Sequence, residues 1–367
     1  MTFTEKRHLV LPKPTKDDFR ADRERILDTL GEEDVTIGLE ALRTLYPLVQ
    51  DGEYDVTVTL SPAQKGREII RVEPGDTTGT LYGLALDIGS TTLEMELVDM
   101  VSGQVLGNAG CVNSQVSFGL NILDRILAVK EDRENLRKLR SLILGDIERL
   151  AAELCTSVGR ESVSALVIGG NTTMIHFFLG CDPWLVFQNP YAPVFFDPGI
   201  FSARQVGLDL SCNVFCFPAV ANYLGGDITA GLLLTDLDTT DKPSVFLDIG
   251  TNGELCLGCK EYLLMGAGAA GPALEGFGTH IDLESAITVG LYPDVDRAKL
   301  VPLGNTSLQG AKKLLLDTAC LERLTWFRKN GTYLHFSEME TFPQNMVAAN
   351  FIPHTDSSLY PSVKRRV

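Results

Sequence analysis

Asp87-Ile88-Gly89-Ser90-Thr91-Thr92 follows an apolar run from Tyr82 to Leu86, and the chain repeats the design at Asp248-Ile249-Gly250-Thr251-Asn252-Gly253-Glu254, after Ser244 to Leu247. Each time a buried-strand pattern delivers an Asp into a tight Gly turn. A second run follows, Leu93 to Val98 in the first copy and Glu254 to Leu257 in the second. The result is a strand, turn, strand hairpin with a carboxylate at its mouth. Glycine lets the backbone approach a phosphate closely, and hydroxyls and N–H groups donate to its oxygens. The Asp can hold Mg2+ directly or through water, since this ion takes oxygen ligands and keeps several waters. One such loop is explained by an ordinary hairpin with Gly at its turn. Two of them imply an internal duplication that clamps one nucleotide between two lobes.

At 367 residues the chain is long enough for two domains or more, and 44% hydrophobic residues with 34 Gly and 17 Pro is ordinary for a globular α/β protein. A formal charge of −16 and a pI near 4.8 repel nucleic-acid backbones and anionic membranes, so neither is expected as a partner. No stretch reaches the length of a membrane span, and Met1 to Lys16 is too polar for a signal peptide. A cytoplasmic protein is expected, and the sequons at Asn171 and Asn305 read as chance.

The eight cysteines include Cys212 and Cys216 at helical spacing and a C-x-x-C at Cys256 and Cys259. A zinc or iron–sulfur site normally needs four ligands, and no second C-x-x-C or His partner lies at usable spacing. Cys256 and Cys259 also fall in a strand pattern, where residues three apart face opposite ways. Small buried thiols are the expectation.

Four regions follow from the pattern. Residues 1–80 read as a small α/β docking or linker domain, with a charged helix over Asp17 to Gly31 (Phe19, Ile26, Leu27 and Leu30 apolar) and strands at Tyr54 to Leu60 and Glu68 to Val72. Residues 81–240 read as a first lobe. It has strands near 83–88, 93–99 and 104–111, helices near 118–130 and 133–157, and a strand at 163–168. Gly169-Gly170-Asn171-Thr172-Thr173 leads into a further helix, and a Pro-rich excursion spans 182–199. A strand at Val214 to Phe217 then precedes Gly225-Gly226-Asp227 and a helix through Leu237. This makes a five-stranded mixed sheet with helices on its faces. Residues 241–337 begin a second lobe in the same way, with strands near 244–248, 254–258 and 261–265. There the duplication breaks: the interval from Asp248 to Gly276-Phe277-Gly278 is far shorter than that from Asp87 to Gly169, leaving no residues for the intervening helices and fourth strand. A helix from Leu283, a strand from Lys299 and a helix over Ser307 to Lys329 follow, and 338–367 form a return segment and tail.

The two D-I-G-x-T hairpins, Gly169 to Met174 and the G-F-G turn together resemble the ASKHA ATPases, the actin, Hsp70 and sugar-kinase superfamily of paired RNase H-like lobes. More closely, the chain is similar to the ATP-dependent reductive activators of corrinoid proteins. The stretches that carry this are LALDIGSTT (Leu84 to Thr92), GGNTTM (Gly169 to Met174), GGDITA (Gly225 to Ala230) and LDIGTNGE (Leu247 to Glu254). To these add AGPALEG (Ala270 to Gly276), FGTHIDLESAITVGLYP (Phe277 to Pro293) and LGNTSLQGA (Leu303 to Ala311). The resemblance implies an ATPase driving an uphill electron transfer that returns an inactive Co(II) corrinoid to Co(I) in a methyltransferase system. It implies that Asp87 and Asp248 organise Mg2+, and that Gly89, Ser90, Thr91, Thr92, Gly250, Thr251 and Asn252 cradle phosphates, with Gly169, Gly170, Asn171, Thr172, Gly225 and Gly226 in the same nucleotide cleft. Glu254 or Asp227 would position the attacking water, and Gly276 and Gly278 would lie against the adenosine.

Two departures stand out. Such activators usually begin with a [2Fe–2S] ferredoxin domain, whereas the first cysteine here is Cys111, so no iron–sulfur cluster is expected in this chain and a separate electron donor such as a ferredoxin is implied. They also carry a long segment where this sequence passes straight from Gly276 into Phe277. The shortened lobe makes a second copy of the chain a candidate partner beside the corrinoid protein. Two alternatives stay open: a non-catalytic paralogue that binds a corrinoid protein, and an acetate- or sugar-kinase-like phosphotransferase. Trp184 and Trp326 read as core or interface aromatics, His176 as a packed side chain, and His280 as a residue near the nucleotide.

Overall fold

The computed structural model describes residues 2–249, 252–269 and 304–333. The N-terminal unit comprises β1 (Glu5–Val10), α1 (Asp22–Leu30), β2 (Val35–Ile37), α2 (Leu39–Asp51), β3 (Asp55–Pro62) and β4 (Arg67–Pro74), with strand order β1-β3-β4-β2. Its core is built from Ile26 on α1, Leu45 and Val49 on α2, and Val56, Val58, Leu60 and Ile69 on the sheet. The first helix starts later than its periodicity implies, and Phe19, 89% exposed, lies outside it. The cause is the buried guanidinium of Arg25, which donates to Asp18 Oδ2 (2.8 Å), to the Asp18 carbonyl (2.7 Å) and to the Pro12 carbonyl (2.9 Å). Those bonds fix residues 12–18 as a strap across the helix and claim carbonyls that a longer helix would need. From β4, Arg71 reaches the second unit, donating to the carbonyls of Val163 (2.8 Å) and Ser211 (3.2 Å).

The middle unit contains β5 (Tyr82–Ile88), β6 (Thr92–Asp99), β7 (Val105–Val112), α3 (Ile122–Glu131), α4 (Glu134–Leu154), β8 (Val163–Gly170), α5 (Thr172–Leu179), α6 (Trp184–Phe187), β9 (Ile200–Ser202), β10 (Asn213–Cys216) and α7 (Gly226–Leu232). Its sheet runs β7-β6-β5-β8-β10-β9, with β5, β8 and β10 parallel and the rest antiparallel. The mixed sheet anticipated from sequence has gained β9, a three-residue antiparallel edge strand too short to announce itself behind the Pro-rich segment. α7 stops at Leu232 rather than Leu237, where Leu233 and Leu234 bond three residues back, to Ala230 and Gly231, and tighten the turn. Cys216 lies in β10 and Cys212 directly before it, so their spacing is that of an extended segment, not a helix. Both are buried among apolar side chains.

The two faces of this sheet serve different purposes. One, including Leu84, Leu86, Leu166 and Ile168, packs on α3, α4 and α5. The other, including Ala85, Val98, Val167 and Phe215, packs on α7 and the third unit. That unit holds β11 (Ser244–Ile249), β12 (Asn252–Cys259), β13 (Tyr262–Ala269), α8 (Thr306–Leu316), α9 (Cys320–Asn330) and β14 (Gly331–Tyr333), with order β11-β12-β13-β14. Among the described residues β11 pairs only with β12, whereas its counterpart β5 lies between β6 and β8. The helix expected over Ser307 to Lys329 is two helices. Asp317 breaks it by taking extended geometry and accepting the Ala319 N–H (3.0 Å) on its own side chain. The helix expected from Leu283 and the strand from Lys299 lie outside the described residues, as does the return segment 338–367.

Helix α8 lies against the middle sheet, not on its own unit alone. Leu308, Ala311, Leu314 and Leu315 enter the shared core, and Phe3, 1% exposed, donates its N–H to the Leu315 carbonyl (2.9 Å). The crossing of α8 over α7 is close because Gly310 faces the Ala230 carbonyl, where a Cβ would overlap the oxygen.

Candidate active site

The two Asp–Gly hairpins share one register. In the first, Asp87 on β5 stands opposite Glu94 on β6; in the second, Asp248 on β11 stands opposite Glu254 on β12. Each hairpin thus places a cross-strand carboxylate pair beside its turn, and like charges there are unfavourable unless something intervenes. What intervenes is the start of α8. Asn305 Nδ2 donates to Asp87 Oδ2 (3.2 Å) and to Glu94 Oε2 (2.8 Å), and Thr306 Oγ1 donates to Asp248 Oδ2 (3.3 Å). One helix terminus therefore touches the carboxylates of both hairpins.

This terminus copies another. Asn305 accepts the Leu308 N–H (3.0 Å) as a helix N-cap, and Asn171 accepts the Met174 N–H (3.0 Å) at the start of α5. Gly170-Asn171-Thr172-Thr173 and Gly304-Asn305-Thr306-Ser307 are two forms of one cap. Glu94, Asn305, Thr306 and Ser307 were not singled out as site residues from sequence. The repeat of Gly-Asn-Thr before a helix was the available signal, and reading Asn305 as a chance sequon passed over it.

Glycines let the parts converge. Gly169, level with Asp87 in the β5–β8 ladder, faces Ser307, where a Cβ would overlap the hydroxyl oxygen. Gly170 packs on the Ile88 carbonyl, Gly225 on the backbone of Asn171 and Thr172, and Gly226 on the carbonyls of Phe217 and Gly170. The N-termini of α5 and α7 thereby meet beside Asp87. The Thr172 hydroxyl points inward, donating to the Ala221 carbonyl (3.3 Å), so its contribution there is to hold the cap.

The electrostatics record that convergence. Burial pushes the Asp87 carboxyl up to about 6, with Glu94 and Asp248 adding to the rise. Ser307 pulls it back, its Oγ close to the carboxylate but completing no well-aligned hydrogen bond, and the Asn305 amide does so too. Asp227, second residue of α7, is driven well above the usual carboxylate range by burial, then by Asp248, Glu254 and Asp87. Asp248 is raised by burial and drawn back by Thr306. Asp87, Asp227, Asp248 and Glu254 therefore share one field. Gly250, Thr251, Gly276, Gly278 and His280 lie outside the described residues, and Asn252 begins β12.

The other residues noted in the sequence sit apart from this field. His176 is buried, stacks on Phe195 with ring centroids 4.0 Å apart, and bonds the Thr172 carbonyl through Nδ1 (2.7 Å). Trp184 packs on the middle core under the Lys130 ammonium, 4.6 Å from its ring, and Trp326 packs on the shared core. Burial raises the Cys212 thiol to about 12, and those of Cys216 and Cys256 also rise.

Comparison with known proteins matches these units one by one. A family model for the RACo linker region matches residues 2–79, one for the RACo middle region matches 82–240, and one for the C-terminal domain of RACo, the ASKHA domain, matches 242–277 and 276–364. The chain belongs to the RACo family. Its α/β fold is that family's, with an ASKHA domain. A solved structure titled reductive activator for corrinoid, iron–sulfur protein superposes with a TM-score of 0.85 at 28% identity, covering 99% of this chain and 81% of that one. Among curated proteins, the corrinoid activation enzyme RamQ of Eubacterium limosum is 29% identical over 276 residues, 72% of this chain and 45% of its own length. A [Co(II) methylated amine-specific corrinoid protein] reductase of Methanosarcina barkeri is 26% identical over 212 residues, 54% of this chain and 38% of its own. The chain spans less than half the length of these curated relatives. The family's C-terminal model matches in two pieces that meet where Gly276 runs into Phe277. No helix among the described residues is long and apolar enough to cross a membrane.

Proposed function

We propose that this chain is an ATP-dependent reductive activator of a corrinoid protein, using ATP to drive one electron from a separate donor, such as a ferredoxin, onto Co(II) to give Co(I). The observation that carries this reading is the α8 terminus. It bonds Asp87 and Glu94 through Asn305 and Asp248 through Thr306, so both phosphate hairpins answer to one element. Membership of the RACo family supports the substrate class.

In this reading the turns at Gly89–Thr92 and Gly250–Asn252 face the phosphates, and Asp227 or Glu254 orients the attacking water. An all-oxygen set of carboxylates raised by burial and mutual repulsion suits a hard cation. Among the described residues no three acidic, His or Cys side chains converge at direct ligand spacing, so Asp87 and Asp248 would hold Mg2+ largely through water. Bound there, the ion would neutralise phosphate charge. Asn305 and Thr306 would then exchange carboxylate bonds for phosphate or water, and α8 would report nucleotide state to both lobes.

The test is spectroscopic. Under anaerobic conditions, with a reduced ferredoxin and a Co(II) corrinoid protein, the absorbance of Co(I) should appear only when chain and MgATP are both present. Equal Co(I) formation without ATP, or none with it, would refute the activation reading. Binding of the corrinoid protein without ATP turnover would favour the non-catalytic paralogue instead.

A further inference from the structure

Every carbonyl of the first phosphate loop is already held by a donor from behind. The Gly89 carbonyl accepts Asn113 Nδ2 (2.9 Å), the Ser90 carbonyl accepts Arg125 Nη2 (2.7 Å), and the Thr91 carbonyl accepts the Asn113 N–H (2.8 Å). In a planar trans peptide the carbonyl of one residue and the N–H of the next point opposite ways. Tying back these carbonyls therefore turns the amides of Ser90, Thr91 and Thr92 outward, toward the mouth of the hairpin. The N–H groups of Ser90 and Thr91 donate to none of the described residues.

Arg125 is the unusual member. It comes from α3, is fully buried, and forms no ion pair among the described residues, the Asp124 carboxylate acting on it only from a distance. Its bonds go to the carbonyls of Ser90, Gly119 (2.9 Å) and, more weakly, Leu120 (3.5 Å), with Met174 Sδ 3.8 Å away. Burial pulls this guanidinium down to about 10 against the adjacent Asp124 carboxylate, which draws it back up, and it stays charged at neutral pH. A buried charge is costly unless something compensates it, and carbonyl dipoles do so only in part. On the far side of the Ser90 peptide lies the loop's open face.

We propose that Arg125 is the positioning residue of the phosphate loop: it pre-orients the Ser90–Thr92 amides and supplies a fixed buried positive charge, with no ion pair formed among the described residues, that the polyphosphate of the ligand would meet. This rests on the nucleotide reading above and deepens it, because it assigns α3 a part in phosphate binding that no residue of the loop itself reveals. The Asn113 side chain supports the same loop but carries no charge, so the two contributions are separable.

Isothermal titration of MgATP, tripolyphosphate and adenosine against wild type, Arg125→Met and Arg125→Lys tests it. Arg125→Met should weaken ATP and tripolyphosphate by about tenfold or more, the size of a lost charge–charge interaction in a partly screened site, and leave adenosine unchanged. Arg125→Lys, with the charge kept but the planar fork lost, should fall between. Equal weakening of all three ligands, or of none, overturns the proposal. Should Arg125→Met fail to fold, hydrogen exchange on wild type decides. Tripolyphosphate should slow exchange at Ser90 and Thr91 together with the first turns of α3, and protection of the loop without α3 overturns the coupling. Wild type binding neither phosphate probe would sink this proposal and the nucleotide reading together. Phosphate binding that depends on Arg125, without corrinoid reduction, would sink only the activation reading.

Discussion

Asp87 is buried in the folded chain at a cost. Its carboxyl, raised from 3.8 to about 6, binds a proton more tightly in the folded chain than in the unfolded one. Between pH of about 4 and 6 the folded state therefore carries the extra proton, and stability falls as pH rises through that window; the full penalty applies above it and none below. Asp87→Asn removes a penalty of about 2–3 kcal/mol at neutral pH. In magnesium-free buffer the variant should resist urea better than wild type at pH 7.5 and show no advantage near pH 3.5. The same substitution, and Asp248→Asn, should weaken Mg2+-dependent ATP binding by about 1–3 kcal/mol, the usual loss for a charge-assisted partner. Identical ATP affinity in calorimetry for wild type and both variants would mean the site lies elsewhere. Asp87 and Asp248 could be singled out at this scale because an Asp before a Gly turn is a local pattern, and Asp227 and Glu254 because each directly follows a glycine. Asn305 and Arg125 were not, since nothing near them in sequence says which loop they serve.

Among the elements, α8 matters most, and Gly310 decides its seat. Gly310→Ala would push a methyl into the Ala230 carbonyl, which is backbone and cannot swing aside. The helix must shift, at about 1–3 kcal/mol for an overpacked contact. Because Asn305 and Thr306 ride on that helix, ATP affinity should fall with stability. Gly145, mid-way along α4 with open space around its Cα, is the control: Gly145→Ala should stabilise the chain by about 0.5–1 kcal/mol and leave ATP affinity unchanged. Paired urea titrations and calorimetry read both, and a neutral Gly310→Ala would refute the tight crossing. Hairpins and long amphipathic helices were readable from periodicity. The strap that shortens α1, the three-residue β9 and the break at Asp317 were not, because each is set by hydrogen bonds made after the chain has folded back.

For the molecule as a whole, the second lobe is expected to be the weaker half. β11 has one described neighbour where β5 has two, and Val245 and Leu247 on it are 36% and 40% exposed. A sheet edge and an apolar face without a described neighbour favour local opening or a partner. Hydrogen exchange should be faster across β11–β13 than across β5 and β8, while α8, clamped on the middle sheet, stays slow. Any ATPase rate should lie below that of relatives with a complete lobe. Uniformly slow exchange through 244–269 in a monomer, with full turnover, would contradict both expectations. The eight cysteines are all free, six of them have thiols that burial drives upward, and among the described residues no three His, Cys, Asp or Glu side chains gather as a metal site. Anaerobic reconstitution should therefore load no iron, and stoichiometric iron with sulfide would show otherwise.

The chain's own pattern determined that there are two Asp–Gly hairpins behind apolar strands, that the second half is shortened, and that the family is the one these motifs resemble. These are properties of neighbours along the chain, where alternation, glycine placement and motif spacing act directly. Tertiary structure alone decided that one helix terminus bonds carboxylates of both hairpins, that four carboxylates share a field, and that a buried arginine stands behind the first Asp–Gly turn. Those facts depend on where separate segments meet. The glycines at positions 169, 225 and 310 permit the approach, but a missing side chain in a sequence does not say which atom will fill its place.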